Sequence, residues 1–299
     1  MIPLVSVGLP FCNPGIFFPD AVRSVFAQTH RDWELILMDD GSTDGSLAKA
    51  QQIRSDRVRV FSDGCTRGLP LRLNEIAELA RGRYLARMDA DDMMHPERLE
   101  RQLSLIPQED EFLVCSAAWI IDNRNHIFGT SRGRDLGASH YDAMEVLKWG
   151  RGIYHATFLT SRKWFLRNPY DPSYPRAEDR ELLARALSAL KILKLSKPLY
   201  FYRFAGRVNL EAYLQGYASE RKVLSRYGPS LIGPIRTAYL LTRSRVKSVV
   251  LRAACATGLQ DLAMKRAYRP ILPGERDEAS CVLDRVISTR VPGWDSTST

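Results

Sequence analysis

The sequence predicts an α/β fold: a mixed, mostly parallel sheet flanked by helices, followed by a basic helical extension at the carboxyl end. Two observations carry this prediction. Strand-like and helix-like segments alternate four times in residues 1–106, and polar loops follow the ends of the strands. From residue 208 onward, apolar residues alternate with Arg and Lys at helical spacing. Such an alternation builds a parallel sheet that is covered by helices on both faces.

The first half of the chain supplies four strands. Short apolar runs predict strands at residues 4–9, 33–38, 58–61 and 83–88. Amphipathic spacing predicts helices at 17–27, 42–52 and 71–80, with Ser42 as the cap of the second of these.

The pattern is looser in the second half. We predict strands at 112–121, 127–129, 154–159 and 197–203, and helices at 162–166 and 178–190. Residues 132–141 are polar and Gly-rich and predict a mobile loop, residues 168–176 predict irregular structure, and residues 210–262 predict helix.

Composition and charge restrict the function. The five Cys residues form no C-x-x-C pair, which argues against a zinc site or a disulfide framework and favours a reducing cytoplasm. The first residues predict a strand rather than a targeting peptide, and no uncharged apolar run approaches the roughly 20 residues of a spanning helix. The net charge is +9, and residues 221–270 hold eleven cations against Asp261 alone. This excess favours an anionic partner.

Three carboxylates lie within four residues, at Asp89, Asp91 and Asp92, directly after the fourth predicted strand. Their mutual repulsion favours a divalent cation, and oxygen ligands suit Mg²⁺ or Mn²⁺ with substrate phosphates in the remaining positions. In extended backbone Asp89 and Asp91 would point to the same side. The alternative is an acidic turn in which Asp92 caps the helix that begins near His95.

Other candidate residues also follow predicted strands. Pro10-Phe11 and Asp39-Asp40 should meet Asp89-Ala90-Asp91 in one crevice, since ligands bind at the carboxyl ends of parallel strands. The chain has no G-x-G-x-x-G after the first strand and no P-loop, so metal and side chains must hold any phosphate. Glu178-Asp179 opens a predicted helix, where carboxylates either cap the helix or perform chemistry.

In this order, several motifs resemble the family 2 glycosyltransferases, which are inverting enzymes of the GT-A fold. The matching segments are Val5-Ser6-Val7 with Pro10-Phe11, Ser24 to Thr29, Asp39 to Asp44, Gly82-Arg83-Tyr84 with Asp89 to Asp92, and Ala177-Glu178-Asp179. The resemblance covers roughly residues 3 to 205. It implies a catalytic domain at 1–207, with a nucleotide-sugar half at 1–106 and an acceptor half at 107–207, and an extension at 208–299.

The resemblance also implies residue roles. Asp179 would be the general base, with Glu178 beside it, and Asp91 would bind the Mn²⁺ or Mg²⁺ with Asp89 contacting ribose or the metal shell. Asp40 would contact the nucleotide base. The expected nucleotide-sugar site comprises Pro10, Phe11, Asn13, Asp39, Asp40, Arg67, Arg72, Asp89 and Ala90, with Arg67 or Arg72 at the diphosphate. The alternative for both arginines is a solvated helix face.

Two departures from the family pattern bear on function. Where the family often has Tyr-Arg-x-His, this chain has Tyr202-Arg203-Phe204-Ala205, and the Q-x-x-R-W motif of processive synthases is absent. The resemblance therefore implies transfer of a single sugar, with a UDP-sugar favoured, to a saccharide or lipid-linked acceptor. We assign His155 only an acceptor-side role, against the alternative of a core residue.

Two other function classes remain open at this point. The basic extension suggests a nucleic-acid-binding protein, but it has no recognisable motif and we predict no nucleic-acid partner. A nucleotidyltransferase of the same fold would need a basic Gly-rich loop after the first strand, and residues 11–15 contain no cation. The basic helices either lie on the anionic inner face of the membrane or pack on the catalytic domain.

Overall fold

The computed structural model describes residues 2–108, 111–131, 143–148, 153–204, 210–258 and 270–294. These residues form nine strands: β1 Val5–Phe11, β2 Trp33–Asp39, β3 Val58–Phe61, β4 Tyr84–Arg87, β5 Met93–Met94, β6 Phe112–Ile121, β7 Ile127–Thr130, β8 Leu159–Ser161 and β9 Lys191–Arg203. The helices are α1 Phe18–Phe26, α2 Ser46–Gln51, α3 Leu69–Leu79, α4 Arg98–Leu103, α5 Ala143–Leu147, α6 Arg162–Arg167, α7 Glu178–Ala186, α8 Leu210–Ile232, α9 Pro234–Ala256 and α10 Pro273–Ile287.

All nine strands belong to one mixed sheet. Its order is β3-β2-β1-β4-β8-β6-β9-β5, and β7 pairs with β6 outside this path. The strands β3, β2, β1 and β4 are parallel, as the alternation in the first half predicts. The strand β8 is antiparallel to both β4 and β6, whereas β6 and β9 run parallel.

The two faces of β2 explain why its central positions, 35–38, are all apolar. Leu35 and Leu37 point into one core with β1, α1 and α4, while Ile36 and Met38 point into a second core on the opposite face. Because successive side chains alternate between faces, a strand that is buried on both sides favours apolar residues at consecutive positions. The continuous apolar run is therefore the mark of a central parallel strand.

Several predicted boundaries in the second half are wrong. The segment 154–159 is not a strand: residues 155–157 form a 3₁₀ turn and the strand covers Leu159–Ser161. Helix α7 ends at Ala186 rather than at residue 190, and β9 begins at Lys191 rather than at 197, because it pairs with β6 along most of its length. The predicted loop at 132–141 lies outside the described residues.

The carboxyl-terminal part contacts the sheet domain in two places. Helices α8 and α9 form a hairpin whose inner side joins Leu147 of α5 and Ala184 of α7 in one cluster. Helix α10 packs against α1 and β7, and the Trp294 indole N–H donates to the Lys49 carbonyl at 2.7 Å. Within the described ranges, no helix combines the length and the apolar character that crossing a bilayer requires.

Candidate active site

A cleft opens where β1 and β4 end, at the edge of the sheet at which the sequence places the candidate residues. Its volume is about 340 Å³, within the ~300–1,000 Å³ of small-molecule sites. It is lined by Pro10, Phe11, Cys12, Asn13, Pro14, Phe17, Asp89, Ala90 and Asp91. Six of the predicted site residues therefore meet in one place, because parallel strands end at a common edge.

Asn13 connects the loops after β1 and β2. Its backbone has a positive φ of 51°, its side-chain oxygen accepts the Thr43 N–H at 2.7 Å, and its own N–H donates to the Ser42 hydroxyl at 3.1 Å. Ser42 therefore does not cap α2, which begins at Ser46 after Gly45. The loop that carries Phe11 and Asn13 is thereby held against the loop after Asp40.

Asp39 and Asp40 are buried beside the cleft rather than on its surface. The Asp39 carboxylate accepts the Ser42 N–H at 3.0 Å and the Ser62 hydroxyl at 2.8 Å. The Asp40 carboxylate accepts the Arg67 N–H at 2.7 Å and the Gly68 N–H at 3.1 Å, while the Asp40 N–H donates to the Phe11 carbonyl. Both acids thus position the loops that form the wall of the cleft.

Arg72 is the buried partner of Asp40. The guanidinium is 2% exposed, and it donates to Asp40 at 2.9 Å, to Asp63 at 2.6 Å and to Glu75 at 2.8 Å. This arrangement speaks against a diphosphate contact by Arg72 and also against a solvated helix face. Arg67 is 49% exposed and pairs with Asp63 at 2.8 Å, so a phosphate contact from Arg67 stays a prediction.

Asp89 is held by an arginine that sequence reasoning missed. Two nitrogens of Arg87 contact the two oxygens of Asp89 at 2.6 and 2.5 Å, and the Asp89 N–H donates to the Tyr200 hydroxyl at 3.0 Å. The strand β4 ends at Arg87, so Asp89 and Asp91 follow the strand, and Asp91 lies in a turn. An arginine in the middle of an apolar run was the available signal for this pair.

Asp92 turns away from the cleft. It is buried and accepts the Arg203 N–H at 2.6 Å, and it does not cap α4, which begins only at Arg98. Burial, together with the charges of Asp91 and Asp89, raises the pKa of Asp92 well above its ordinary value. The Arg203 guanidinium donates to the Asp91 carbonyl at 2.8 Å and so anchors the acidic turn to the end of β9.

Asp91 is exposed, whereas Asp89 is partly exposed and Asp92 is buried. Desolvation by the surrounding protein and the charge of Asp89 raise its pKa to about 6. Within the described ranges, no three His, Cys, Asp or Glu side chains converge as a complete metal cage. One free carboxylate beside a second acidic residue fits Mg²⁺ or Mn²⁺, which are held by one or two carboxylates plus substrate phosphates.

A second set of residues borders the start of α7. Ala177 has φ 62° and turns the chain so that Glu178 and Asp179 open the helix. His155, whose side chain is 10% exposed, lies 3.4 Å from Glu178 through Nδ1 and 2.8 Å from the Tyr170 hydroxyl through Nε2. Asp179 is partly exposed.

Charged groups of the acidic turn and of the start of α7 act on the same side chains. Burial and the charge of Arg87 lower the pKa of His155 to about 3, so its imidazole is neutral near pH 7. The charges of Asp179 and Asp89 act in the opposite direction on the same imidazole. They affect Tyr170 together as well. Asp179 and Asp89 thus act on the same two side chains, although they are 90 positions apart in the sequence, and Asp179 is not among the residues that line the cleft.

A family model described as "Glycosyl transferase family 2" matches residues 6–168, which is more than half of the chain. The chain belongs to glycosyl transferase family 2. The family that the motifs resemble is thereby confirmed. The matched range includes the acidic turn and His155 and stops before Glu178 and Asp179.

Curated relatives of this family 2 chain match it in part. EpsE of Bacillus subtilis is 34% identical over 122 residues, which are 40% of this chain and 44% of EpsE. Glycosyltransferase GlyG of Streptococcus pneumoniae is 26% identical over 215 residues, or 68% of this chain and 71% of GlyG. The chain thus spans less than half the length of some relatives and about two thirds of others.

Solved structures confirm the fold. TarS of S. aureus, residues 1–349 with UDP, superposes with a TM-score of 0.58 at 16% identity, covering 94% of this chain and 79% of that one. The mannosyltransferase PcManGT of Pyrobaculum calidifontis, solved with GDP-Man and Mn²⁺, gives a TM-score of 0.60 at 12% identity, covering 97% and 86%. The mixed sheet with helices around it and a helical carboxyl-terminal part is the GT-A arrangement that the sequence predicts.

Proposed function

We propose that this family 2 chain is an inverting glycosyltransferase that moves one sugar from a nucleotide sugar to a hydroxyl of a saccharide or lipid-linked acceptor. The observation that carries the proposal is the cleft itself. It is lined by the exposed Asp91, and the half-buried Asp179 lies at the start of α7 next to Glu178, which is 3.4 Å from His155. In this proposal Asp91 serves the donor and Asp179 serves the acceptor.

Names of similar proteins support the choice of substrates. TarS was solved with UDP-GlcNAc, and GalNAc-T7 with UDP, GalNAc and Mn²⁺. WfgD of Escherichia coli, 29% identical over 59% of this chain and 66% of its own length, is named as a UDP-Glc:α-D-GlcNAc-diphosphoundecaprenol β-1,3-glucosyltransferase. A UDP-sugar and a lipid-linked acceptor are therefore our first choices, and a lipid-linked acceptor places the reaction at a membrane surface.

On the donor side, Phe11 and Pro10 form an apolar wall for the nucleotide base, next to the loop that Asp40 holds in place. Asp91, with Asp89 beside it, would hold a divalent metal together with the diphosphate. When bound, that Mn²⁺ or Mg²⁺ neutralises charge on the departing nucleoside diphosphate. Arg87 keeps the Asp89 carboxylate in a fixed orientation through two hydrogen bonds.

On the acceptor side, we assign Asp179 as the general base. It accepts the proton of the acceptor hydroxyl while the oxygen bonds to C1 of the sugar and the bond from C1 to the diphosphate oxygen breaks. Attack from the face opposite the leaving group inverts the configuration at C1. Glu178 is buried and lies 3.4 Å from His155, so we assign it the role of positioning the start of α7.

The test is a screen of nucleotide sugars for transfer or hydrolysis, with and without Mn²⁺, comparing the parent with Asp179→Asn and Asp91→Asn. Loss of a general base lowers turnover by about 10²–10⁴-fold. We expect Asp179→Asn to show this loss with unchanged nucleotide affinity, and Asp91→Asn to lose metal-dependent nucleotide binding. Asp56→Asn is the matched control, since Asp56 is exposed and precedes β3 at the opposite edge of the sheet.

Turnover of Asp179→Asn within a few-fold of the parent would remove Asp179 from its assigned role. Release of pyrophosphate from a nucleoside triphosphate would instead identify a nucleotidyltransferase. The structure does not favour that activity, since the residues that line the cleft in the described part of the chain include no Lys or Arg to hold a triphosphate.

A further inference from the structure

Helix α9 has two apolar sides, and only one of them is used inside the described chain. The inner side buries Thr237, Leu240, Ser244 and Leu251, and Leu240 belongs to the cluster that α8 forms with α5 and α7. The fit is close, because a Cβ on Gly228 of α8 would lie 2.7 Å from the Thr237 hydroxyl oxygen. On its inner side α9 therefore packs against α8, which in turn contacts α5 and α7.

The opposite side of α9 carries an exposed outer stripe, made of Ile235, Tyr239, Val246, Val249 and Val250. These side chains are 85%, 62%, 55%, 66% and 58% exposed. Their spacing of three, four and seven residues places them on one face of the helix. Among the described residues, ten large apolar side chains are exposed, and half of them belong to this stripe. Such a concentration marks an interaction surface.

Cations border the outer stripe on both sides. At about 100° per residue, Arg236 and Arg243 fall along one edge, and Arg245 and Arg252 fall along the other. All four are exposed, and residues 234–256 contain no Asp or Glu. The surface is therefore an apolar strip between two rows of positive charge.

This charge pattern selects among the possible occupants. A second copy of α9 on the stripe would bring Arg rows against Arg rows with no acidic residue between them, and like charges at such positions destabilise pairing. A nucleic acid would neutralise the arginines but leave the apolar strip uncovered. A bilayer with anionic lipids satisfies both parts, because apolar side chains enter the acyl region while arginines reach the head groups.

We propose that the outer stripe of α9 is a membrane-docking surface that lies flat in the interface of an anionic bilayer. Interfacial helices of this kind insert about 5–10 Å deep without spanning. The inference deepens the proposed function, since docking would bring the cleft to a lipid-linked acceptor. It nevertheless rests on α9 alone, so binding and turnover can succeed or fail separately.

The test is flotation of the full chain with phosphatidylcholine vesicles, with and without phosphatidylglycerol, at low ionic strength. We expect the parent to float with anionic vesicles and to be released by salt. Tyr239→Ser with Val246→Ser and Val249→Ser should lower the partition coefficient by at least about ten-fold, since three apolar side chains no longer enter the bilayer. Arg236→Gln with Arg245→Gln should lower it by roughly 25-fold, about five-fold per charge.

Matched controls remove the same groups elsewhere. Leu166→Ser with Leu272→Ser changes two exposed apolar residues, and Arg54→Gln with Arg81→Gln changes two exposed cations of the sheet domain. Both controls should float as the parent does. A thermal melt of every variant checks folding.

Three results would overturn the inference: a parent that does not float with anionic vesicles, flotation that the α9 variants leave unchanged, or a dimer in solution that the Ser variant dissociates. Loss of flotation in the α9 variants with normal transfer to a water-soluble acceptor supports docking. Flotation of a parent that turns over no nucleotide sugar would leave docking intact and contradict the proposed function alone.

Discussion

Replacing Arg72 with Met tests whether this side chain holds the wall of the cleft or contacts the diphosphate. Arg72 is buried, and it links Asp40, Asp63 and Glu75. Methionine fills much of the same space without the charge. The substitution therefore removes one partner of a buried ion pair and leaves the Asp40 carboxylate in place.

The expected loss of stability depends on the solvation and the hydrogen bonds that each carboxylate retains. Asp63 is 34% exposed and Glu75 is 29% exposed, so water can solvate both after the arginine is lost. Asp40 is only 10% exposed but retains the backbone N–H groups of Arg67 and Gly68. Removing one partner of a buried pair costs about 3–5 kcal/mol, and we expect about 3 kcal/mol here. That loss lowers the Tm by roughly 6–12 °C.

Urea unfolding of the parent, Arg72→Met and Arg67→Met measures this difference. Arg67 is half exposed, and an exposed pair contributes only about 0–1 kcal/mol, so Arg67→Met is the matched control. If both variants unfold within 1 kcal/mol of each other, the structural role of Arg72 is refuted. If Arg72→Met keeps the stability of the parent but loses affinity for a nucleoside diphosphate, Arg72 is a ligand contact after all.

Three further substitutions test the surroundings of the site. Tyr200→Phe deprives the part-buried Asp89 N–H of its acceptor, so we expect a loss of about 1–3 kcal/mol in urea and weaker nucleotide binding by calorimetry, and parental affinity would contradict this positioning. Burial lowers the pKa of the His95 imidazole from 6.5 to about 4. Between these values the unfolded chain binds more protons than the folded chain, so the contribution of His95 to the free energy of unfolding is complete above pH 6.5 and is lost as the pH falls to 4. His95→Gln should flatten the pH dependence of the urea midpoint in that window, and an unchanged slope would refute this. Gly82→Ala would place a Cβ 2.5 Å from the Ser6 nitrogen, so we expect a loss of about 1–3 kcal/mol, and a parental melting curve would show that the backbones do not approach so closely.

The strands of the first half are predictable because each is a run of consecutive, mostly apolar residues. β2 is apolar at every central position, since both faces of the sheet are covered. β9 was predicted only in part, because Lys191, Lys194 and Lys197 interrupt its apolar pattern. Its pairing with β6, and not its own composition, makes it a strand of 13 residues.

The residues of the candidate site could likewise be predicted only in part. The sequence predicts that Phe11 and Asp91 share one edge, because residues that follow parallel strands must meet there. The sequence does not show that Arg72 pairs with Asp40 or that Arg87 pairs with Asp89. Those pairs depend on the direction in which each side chain points, and spacing along one helix or strand leaves that direction open.

The amino-acid sequence by itself determined the family, the parallel half of the sheet and the acids that border the cleft, because each is encoded in local order and periodicity. Only the tertiary structure decided which of those charges are available to a ligand. Asp40 and Asp92 accept hydrogen bonds from the protein, whereas Asp91 is exposed. Helix α9 buries one apolar side and exposes the other. Burial and pairing arise from contacts between segments that are distant in the chain, so no single segment could reveal them.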